Sequence, residues 1–287
     1  MKNSADLSIV LDKKYYIEHK KDGRIKTKAV GNSSGVINIT IVTLILLTIY
    51  GFLTFDYKDL NLASAVGQTL QNLKIMFLNP SLIHFTFMQG INAVIITMSL
   101  AFLTTLLGAS IAIILGLFAA KNLSNIHVSN LIKGFVAFIR AIPTVIWVLI
   151  FAISAGLGSV AAVVGLTFHS TAYLTKAYSE SYEEIDGGVI EALKASGASF
   201  WQIVFQAIIP STANYLVSWT FMRFEINFTN AVAMGAAAGA GGIGYELFMA
   251  GSFYFNVSEV GFISYLLVGS AIILEVISNR IKSHQLA

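Results

Sequence analysis

Long apolar runs with almost no charged residues constrain this chain more than any other feature of its sequence. Hydrophobic residues make up 56% of the 287 residues and charged residues 11%, whereas a soluble domain is usually about 25% charged. So few charged groups could not cover a core of this size in water. The composition therefore excludes an ordinary cytosolic enzyme, a disordered protein and a collagen-like fibre, and it indicates a polytopic membrane protein.

Six segments have close to the ~20 residues that a helix needs to cross a bilayer. We predict an all-α transmembrane helix bundle with about six spans, at residues 36–55, 90–120, 131–153, 156–178, 208–229 and 260–277. The domain organisation that follows is a basic tail at 1–35, a transmembrane domain at 36–280 and a short tail at 281–287. We expect none of the prolines Pro80, Pro143 and Pro210 to interrupt the middle of a span.

Basic residues predict the topology. Eight of the 18 Lys and Arg residues lie in the first 35 residues, at positions 2, 13, 14, 20, 21, 24, 26 and 28. Since the first apolar run begins only near Val36, we interpret it as a retained anchor and not as a signal peptide. The positive-inside rule then places both termini in the cytoplasm. The basic tail is interpreted as this topology signal, with a regulatory or anionic-lipid role as the alternative.

The loop between the first two predicted spans is expected to lie on the extracytoplasmic side of the membrane, opposite to the two termini. It places apolar residues at helical spacing, at Leu62, Val66, Leu70, Leu73 and Phe77. This spacing predicts an amphipathic helix, either on the membrane surface or packed against the other spans.

Several kinds of chemistry are excluded by the residues present. The chain has no cysteine and five histidines without helix-turn spacing, so we expect no metal site. Gly239, Gly241 and Gly244 match a dinucleotide fingerprint, but that motif requires a preceding strand, and here a membrane helix precedes it. We interpret these glycines, with Gly242, as a closely packed turn on the outer side. A phosphate-binding Gly-x-x-x-x-Gly-Lys loop is also absent, and no nucleic-acid partner is expected.

The segment from Glu180 to Pro210 is the most unusual polar stretch. It holds five of the 15 acidic residues between two predicted spans. We expect Gly187 and Gly188 to break the preceding helix. A helix at 189–195, a turn at Gly197 and a second helix from Ser199 to residue 206 should follow. An ordered helix–turn–helix at the membrane surface is typical of a docking element.

This segment resembles the EAA loop of ABC-importer permeases. The pattern is Glu-Ala-Ala, three residues, Gly, an apolar stretch and Pro, and it falls here on Glu191, Ala192, Leu193, Gly197 and Pro210. Leu193 departs from the usual alanine. The length and the fixed spacing of this motif make it specific.

Further motifs resemble the phosphonate-importer permeases over roughly residues 75–280. They are Ala119-Ala120-Lys121-Asn122-Leu123, Arg140-Ala141-Ile142-Pro143 with Trp147, His169-Ser170, Tyr178-Ser179-Glu180, Arg223-Phe224-Glu225-Ile226-Asn227 and the glycines of 239–244. The resemblance implies a type I ABC-importer permease fold, and the basic tail lies outside it.

The resemblance also implies a mechanism. Two permease subunits, identical or sister chains, would form a pathway for phosphonate or a related phosphorus oxyanion by alternating access in a prokaryotic cell membrane. A cytoplasmic pair of ABC ATPase chains would bind ATP and Mg²⁺, so this chain would hold no cofactor and would not be an enzyme. An extracytoplasmic binding protein would deliver the solute. The ATPase-coupling residues would be Glu191, Ala192, Leu193, Ser196, Gly197, Ala198 and Pro210.

Polar side chains inside predicted spans are the candidates for the pathway. A charge at the bilayer centre costs at least about 2.5–3.5 kcal/mol, so each needs a partner or water. Arg223, Asn227 and Asn230 share one helical face, and Glu225 lies on another. They either line a path for an anion or fix helix packing. Arg140 beside Pro143 is a gate or an anchor, and His169 is an interhelical partner or a proton carrier.

Other function classes have less support in the sequence. A permease for methionine or another amino acid is the near alternative. An ion-coupled secondary transporter would require buried carboxylates, of which Glu225 is the one candidate, and would leave the EAA-like segment unexplained. An intramembrane enzyme would require a catalytic group that the spans do not offer.

Overall fold

Helices account for almost all of the chain that the structure, a computed structural model, describes, which is residues 32–55 and 61–285. No strand occurs in those two ranges, and the prediction of an all-α fold is confirmed. The α-helices are α1 Asn32–Thr54, α2 Leu62–Leu78, α3 Phe87–Ala119, α4 Ile126–Ala141, α5 Thr144–Ala155, α6 Ser159–Glu183, α7 Gly187–Ala195, α8 Phe200–Ile203, α9 Ile209–Ala238, α10 Gly242–Phe248 and α11 Val257–Gln285, with wide π turns at Val204–Ile208 and Met249–Phe253.

The chain divides by its contacts into residues 1–65 and 66–287. Within the first unit, α1 exposes its apolar side chains along its whole described length. The lysines and the arginine of the predicted basic tail, at positions 2–28, lie outside the described residues. At the other terminus α11 continues to Gln285, so residues 281–285 extend the last helix.

Length and apolar composition identify three single helices in the described ranges that could cross a membrane. They are residues 35–54 of α1, the 33-residue α3 and residues 257–280 of α11. The bent pair α4 and α5 would add a fourth. The remaining two predicted spans correspond to α6 and α9, which have 25 and 30 residues but carry more polar groups.

The predicted third span, 131–153, is not one continuous helix. Helices α4 and α5 meet at an angle of 89°, so the expectation that no proline interrupts the middle of a span is wrong for Pro143. Proline has no N–H to donate to the carbonyl group four residues earlier and its ring displaces that carbonyl. The freed oxygen of Ile139 instead accepts a hydrogen bond from the Trp147 indole at 3.0 Å.

Helices α3, α6 and α9 pack together as the centre of the second unit, because small residues line their contacts. Gly108 of α3 faces the backbone of Ser170 and Thr171, and Gly116 faces Tyr178. Alanines fill the remaining contacts, and Ala101, Ala112, Ala161 and Ala162 are fully buried. Small residues allow membrane helices to approach closely in this way.

Helix α2 confirms the predicted helical periodicity of the loop. Leu62, Val66, Leu70, Leu73 and Phe77 are all exposed, and no residue of α2 is buried. Its last turn lies against α11, where the Tyr265 hydroxyl donates to the Phe77 carbonyl at 2.6 Å. The packing alternative therefore applies to that end of the helix.

Candidate coupling segment and buried polar cluster

The 180–210 segment begins where α6 ends at Glu183. The break falls on residues 184–186, and not at Gly187 and Gly188 as predicted, because the two glycines are the first residues of α7. Asp186 caps α7 by accepting from the Gly188 N–H at 2.8 Å. A carboxylate at the helix start satisfies an otherwise unpaired N–H and complements the helix dipole.

Gly197 makes the turn that follows α7. Its φ of 85° lies in the left-handed region, which glycine adopts without steric cost. The N–H of Ala198 donates to Leu193 and the N–H of Gly197 donates to Lys194, both at 3.0 Å. This pair of bonds is a Schellman motif, which satisfies the last carbonyls of a helix and fixes the exit direction of the chain.

The second half of the segment continues into α9 without a break in the helix. Ser199 begins α8 and its N–H donates to the Gln202 side chain at 2.7 Å. A π turn at Val204–Ile208 then joins α8 to α9, and Pro210 lies in the first turn of α9. The wide turn accommodates the proline, which cannot donate to the preceding turn and would crowd its carbonyl in a regular α-helix.

The segment is anchored to the end of the bundle by buried apolar side chains. Ile190 of α7 and Ile203, Val204 and Ile208 at the start of the next helix are each 3% exposed or less. They share one core cluster with α3 and α6, to which Ala112, Leu117, Ala120, Leu174, Tyr178 and Tyr182 contribute. Helix α7 is therefore packed directly against the ends of α3, α6 and α9.

The outer face of the segment is free for a partner. Glu191, Ala192, Ser196 and Gly197 are exposed, whereas Leu193 and Ala198 pack against the core cluster. The Glu191 side chain forms no hydrogen bond or ion pair with the described residues. Asp186 makes the cap, so within this chain Glu191 is an exposed carboxylate on an ordered helix.

Glu183, at the start of the segment, contacts α4 and the loop that follows α3. This role was not predicted from the sequence. The Glu183 carboxylate accepts from Lys133 Nζ at 2.6 Å and from the Lys121 N–H at 2.7 Å. The Asn122 side chain donates to the Tyr182 carbonyl at 2.8 Å. Partial burial opposes ionisation of Glu183, but the two hydrogen bonds and the lysine charges outweigh it and hold its pKa below the usual range.

A buried polar cluster joins α3, α6 and α9 in the middle of the bundle. Arg223 is 2% exposed. Its Nε donates to Ser170 Oγ at 3.0 Å and its Nη2 lies 3.0 Å from His169 Nδ1. Because an arginine always carries its protons on nitrogen, His169 accepts here through Nδ1. His169 is thus the interhelical partner that one alternative predicted.

Asn227 extends the cluster to α3. Its amide donates to Thr105 Oγ1 at 2.8 Å and lies 2.9 Å from Ser170 Oγ. Asn230 and Glu225, on the same helix, are half-buried and their side chains form no hydrogen bond with the described residues. The sequence therefore identified Arg223, Asn227 and His169 correctly, but it grouped Asn230 with the first two and missed the threonines.

Arg140 approaches the same cluster from α4. Its guanidinium carbon lies 5.8 Å from the centre of the Tyr173 ring, and that of Arg223 lies 5.0 Å from it. Cation–π contact with one aromatic ring thus stabilises two arginines. Arg140 is exposed and Arg223 is buried, so Arg140 is the accessible member of this pair.

The glycines of 239–244 form a tight turn at the opposite end of α3 from Ala119, between α9 and α10. Gly239, Gly241 and Gly242 have positive φ angles. A side chain at Gly244 would overlap the carbonyl oxygen of Val232. Helix α9 precedes this turn, so it is not the strand-linked loop of a dinucleotide site.

The same end holds a contact between a carboxylate and a histidine that the sequence did not reveal. Glu259 has a side chain that is 1% exposed, and its Oε2 lies 2.7 Å from His84 Nδ1. Its Oε1 accepts from the backbone N–H groups of Ile83 and His84. These residues are 175 positions apart, and neither has a motif around it. In the described part of the chain, no group of three or more His, Asp and Glu residues could hold a metal ion.

The sequence of this chain is similar to those of known transport permeases. The chain is similar to the phosphate-import permease protein PhnE of Mycolicibacterium smegmatis, with 31% identity over 53% of this chain and 29% of that protein. It is also similar to the phosphite transport system permease protein PtxC of Stutzerimonas stutzeri, with 26% identity over 68% of this chain and 70% of that protein. The chain thus spans under a third of the first relative's length.

The fold likewise matches a solved structure. A chain of the inward-facing MetNI methionine ABC transporter superposes with a TM-score of 0.62 and 24% identity, over 68% of this chain and 95% of that chain. The predicted type I importer permease fold is therefore confirmed. The family model described as "Binding-protein-dependent transport system inner membrane component" matches residues 112–284. This chain therefore belongs to the family of inner membrane components of binding-protein-dependent transport systems.

Proposed function

We propose that this chain is the permease subunit of an ATP-driven importer and forms its translocation pathway by alternating access. The observation that carries the proposal is the 180–210 segment. It is an ordered helix–turn–helix whose inner face packs on three bundle helices and whose outer face presents Glu191 to a partner. A rigid element of this kind transmits a push, whereas a flexible loop would absorb it.

The partner of the outer face is a separate pair of cytoplasmic ABC ATPase chains, which bind ATP and Mg²⁺. Closure of the ATPases moves α7, and the packing of Ile190 and Ile203 carries this movement to the ends of α3, α6 and α9. We propose that the 180–210 segment and both termini lie in the cytoplasm, as the basic residues near the N-terminus favour. A second permease subunit, the same or a sister chain, completes the pathway, and a binding protein delivers the solute on the other side.

The solute is phosphonate or a related phosphorus oxyanion. Relatives named for phosphate and phosphite transport support this class, and so does a buried arginine that has no carboxylate in contact within the described chain. The alternative is methionine, because the methionine import permease MetP of Bacillus subtilis is 29% identical over 49% of this chain.

Co-purification tests the coupling. The wild type should purify in complex with the ATPase that is encoded nearest to its gene. Glu191→Ala and Gly197→Asp should weaken that complex or uncouple it, whereas Glu275→Ala, which removes an exposed carboxylate from α11, should leave it intact. A wild-type chain that purifies alone and moves solute without ATP would overturn the proposal and would make Glu225 the residue to test.

Uptake into proteoliposomes tests the solute. The complete transporter with its binding protein should accumulate phosphite, phosphate or methylphosphonate in an ATP-dependent manner, and unlabelled methionine should not compete. Uptake of methionine with no uptake of any phosphorus oxyanion would replace the proposed substrate by the alternative while leaving the ABC assignment in place.

A further inference from the structure

A cavity of about 320 Å³ opens beside the end of α3, between α4 and α6. Its walls combine four cationic side chains with two carboxylates, namely Lys121, Lys133, Arg140, Lys176, Glu180 and Glu183. The charges come from two helices and from the loop between α3 and α4, so the fold brings them together. The cavity has room for a small solute with its first water molecules.

Both carboxylates in the cavity are already paired. Lys133 Nζ lies 2.6 Å from Glu183 and Lys176 Nζ lies 2.7 Å from Glu180. The side chains of Lys121 and Arg140 form no ion pair with any described residue. The four cationic side chains of the cavity therefore exceed its two carboxylates by two positive charges, which favours an anion there.

A third positive charge lies behind Arg140, outside the lining of the cavity. Arg140 lies over the Tyr173 ring, and the buried guanidinium of Arg223 contacts the same ring. The neighbours of Arg223 are the neutral groups of Ser170 and His169. A buried cation normally has a carboxylate or another anion beside it. An anion bound at Arg140 would supply the counter-charge that the described chain does not.

We propose that this cavity is an oxyanion site, in which Arg140 binds the phosphorus oxyanion that the importer carries. The guanidinium group donates two parallel hydrogen bonds to a tetrahedral oxyanion, and Lys121 provides a second charge. The proposal rests on the proposed function and specifies where its solute is held. The same chemistry would suit the phosphate headgroup of an anionic lipid, which the experiment below distinguishes.

The position of the site connects it to the coupling segment. Glu183 contributes to its wall and is the last residue of α6, three residues before the Asp186 cap of α7. Displacement of α7 therefore changes the wall of the cavity. A solute held at Arg140 is thus at the end of the bundle from which it would enter the cytoplasm.

Protection of Arg140 from an arginine reagent tests the site directly. The permease–ATPase complex is placed in nanodiscs of zwitterionic lipid and treated with phenylglyoxal, and modification of each arginine is followed by peptide mass spectrometry. Saturating phosphite should slow modification of Arg140 by about threefold or more, as expected when a site is mostly occupied. Arg280 is exposed at the far end of α11 and should react at the same rate with and without phosphite.

Variants provide the second measurement. Arg140→Gln should slow phosphite uptake by about tenfold and keep the ATPase bound, and Arg140→Lys should restore part of the rate because it keeps the charge. Lys74→Gln removes an exposed lysine on α2 and should transport normally. Since Arg140 is exposed, its replacement should not unfold the bundle, which Tm measurements verify.

Several outcomes would overturn the site. One is equal modification of Arg140 with and without phosphite. Another is protection that occurs only when anionic lipid is added, because that result would assign the cavity to a lipid headgroup. Normal phosphite uptake by Arg140→Gln would also overturn the proposed site. By contrast, a wild-type complex in which phosphite protects Arg140 but which does not take up phosphite would refute the proposed function and leave the site in place, because protection of Arg140 is measured without transport.

Discussion

Glu259 lies 2.7 Å from Nδ1 of His84 although the two residues are 175 positions apart. The carboxylate also accepts from two backbone N–H groups, and the His84 ring stacks on Tyr254 at 3.8 Å. One buried side chain thus fixes the segment before α3 to the start of α11. The ends of these two helices cannot separate without exposing unpaired donors.

Replacement of Glu259 should therefore be costly. Glu259→Ala leaves two backbone donors and a histidine without their acceptor, and we expect a loss of about 2–3 kcal/mol in the free energy of unfolding. Glu259→Gln should lose less, because one oxygen still accepts. The Tm in detergent measures the effect. The matched control is Glu275→Gln, an exposed site on the same helix, and equal Tm values for both positions would contradict the argument.

Alanine substitutions at Gly197 and Gly187 can be compared to test the turn after α7. A Cβ at either position would meet no atom within 4 Å, but only Gly197 has a positive φ. Gly197→Ala should cost about 1–2 kcal/mol, whereas Gly187→Ala should be neutral or stabilising by up to about 1 kcal/mol. Thermal unfolding of the two variants isolates the backbone angle from packing. A harmless Gly197→Ala would show that the turn is not the one described.

Gly244 is required for close approach and not for a backbone angle. A Cβ there would overlap the Val232 carbonyl oxygen, whereas at Gly251 the nearest atom would be 3.6 Å away. We expect Gly244→Ala to destabilise the protein by about 1–3 kcal/mol through overpacking. Gly251→Ala should change stability by less than about 0.5 kcal/mol. Chemical denaturation of both variants provides the measurement.

The contacts of Glu183 with Lys133 and with the Lys121 N–H predict that the stability of the protein depends on pH. Since its pKa is lower in the folded protein than the ordinary 4.5, its stabilising effect is complete above about pH 4.5 and is lost as the pH falls through the folded value. The Tm difference between wild type and Glu183→Gln should thus be positive at pH 7 and shrink below pH 4.5. Glu184→Gln, one residue on and exposed, should show little difference at either pH.

Local signals predicted the parts of the fold that depend on local chemistry. The apolar runs predicted the long helices, and Gly197 with Ser199 predicted the turn and the second helix of the coupling segment. The spacing of Arg223 and Asn227 on one face correctly placed them together. In each case the relevant interaction lies within a few residues or follows from helical periodicity.

Long-range partners could not be predicted in the same way. His84 with Glu259 and Glu183 with Lys133 are 175 and 50 positions apart, and no periodicity relates them. Pro143 is different, because its effect is local and could have been anticipated. An unbroken apolar run masked the break, since hydropathy records composition and not the missing N–H of proline.

The π turn at Val204–Ile208 inserts one extra residue into the helix that joins the 180–210 segment to α9. Each residue advances an α-helix by about 100°, so deleting one residue here would rotate everything before it by that angle relative to the membrane helix. Ile203 and Val204 would then leave the core, and the docking face would point elsewhere. The number of residues between Ser199 and Pro210 thus sets the direction in which the exposed face of α7 points, and insertions or deletions there should be far less tolerated than substitutions.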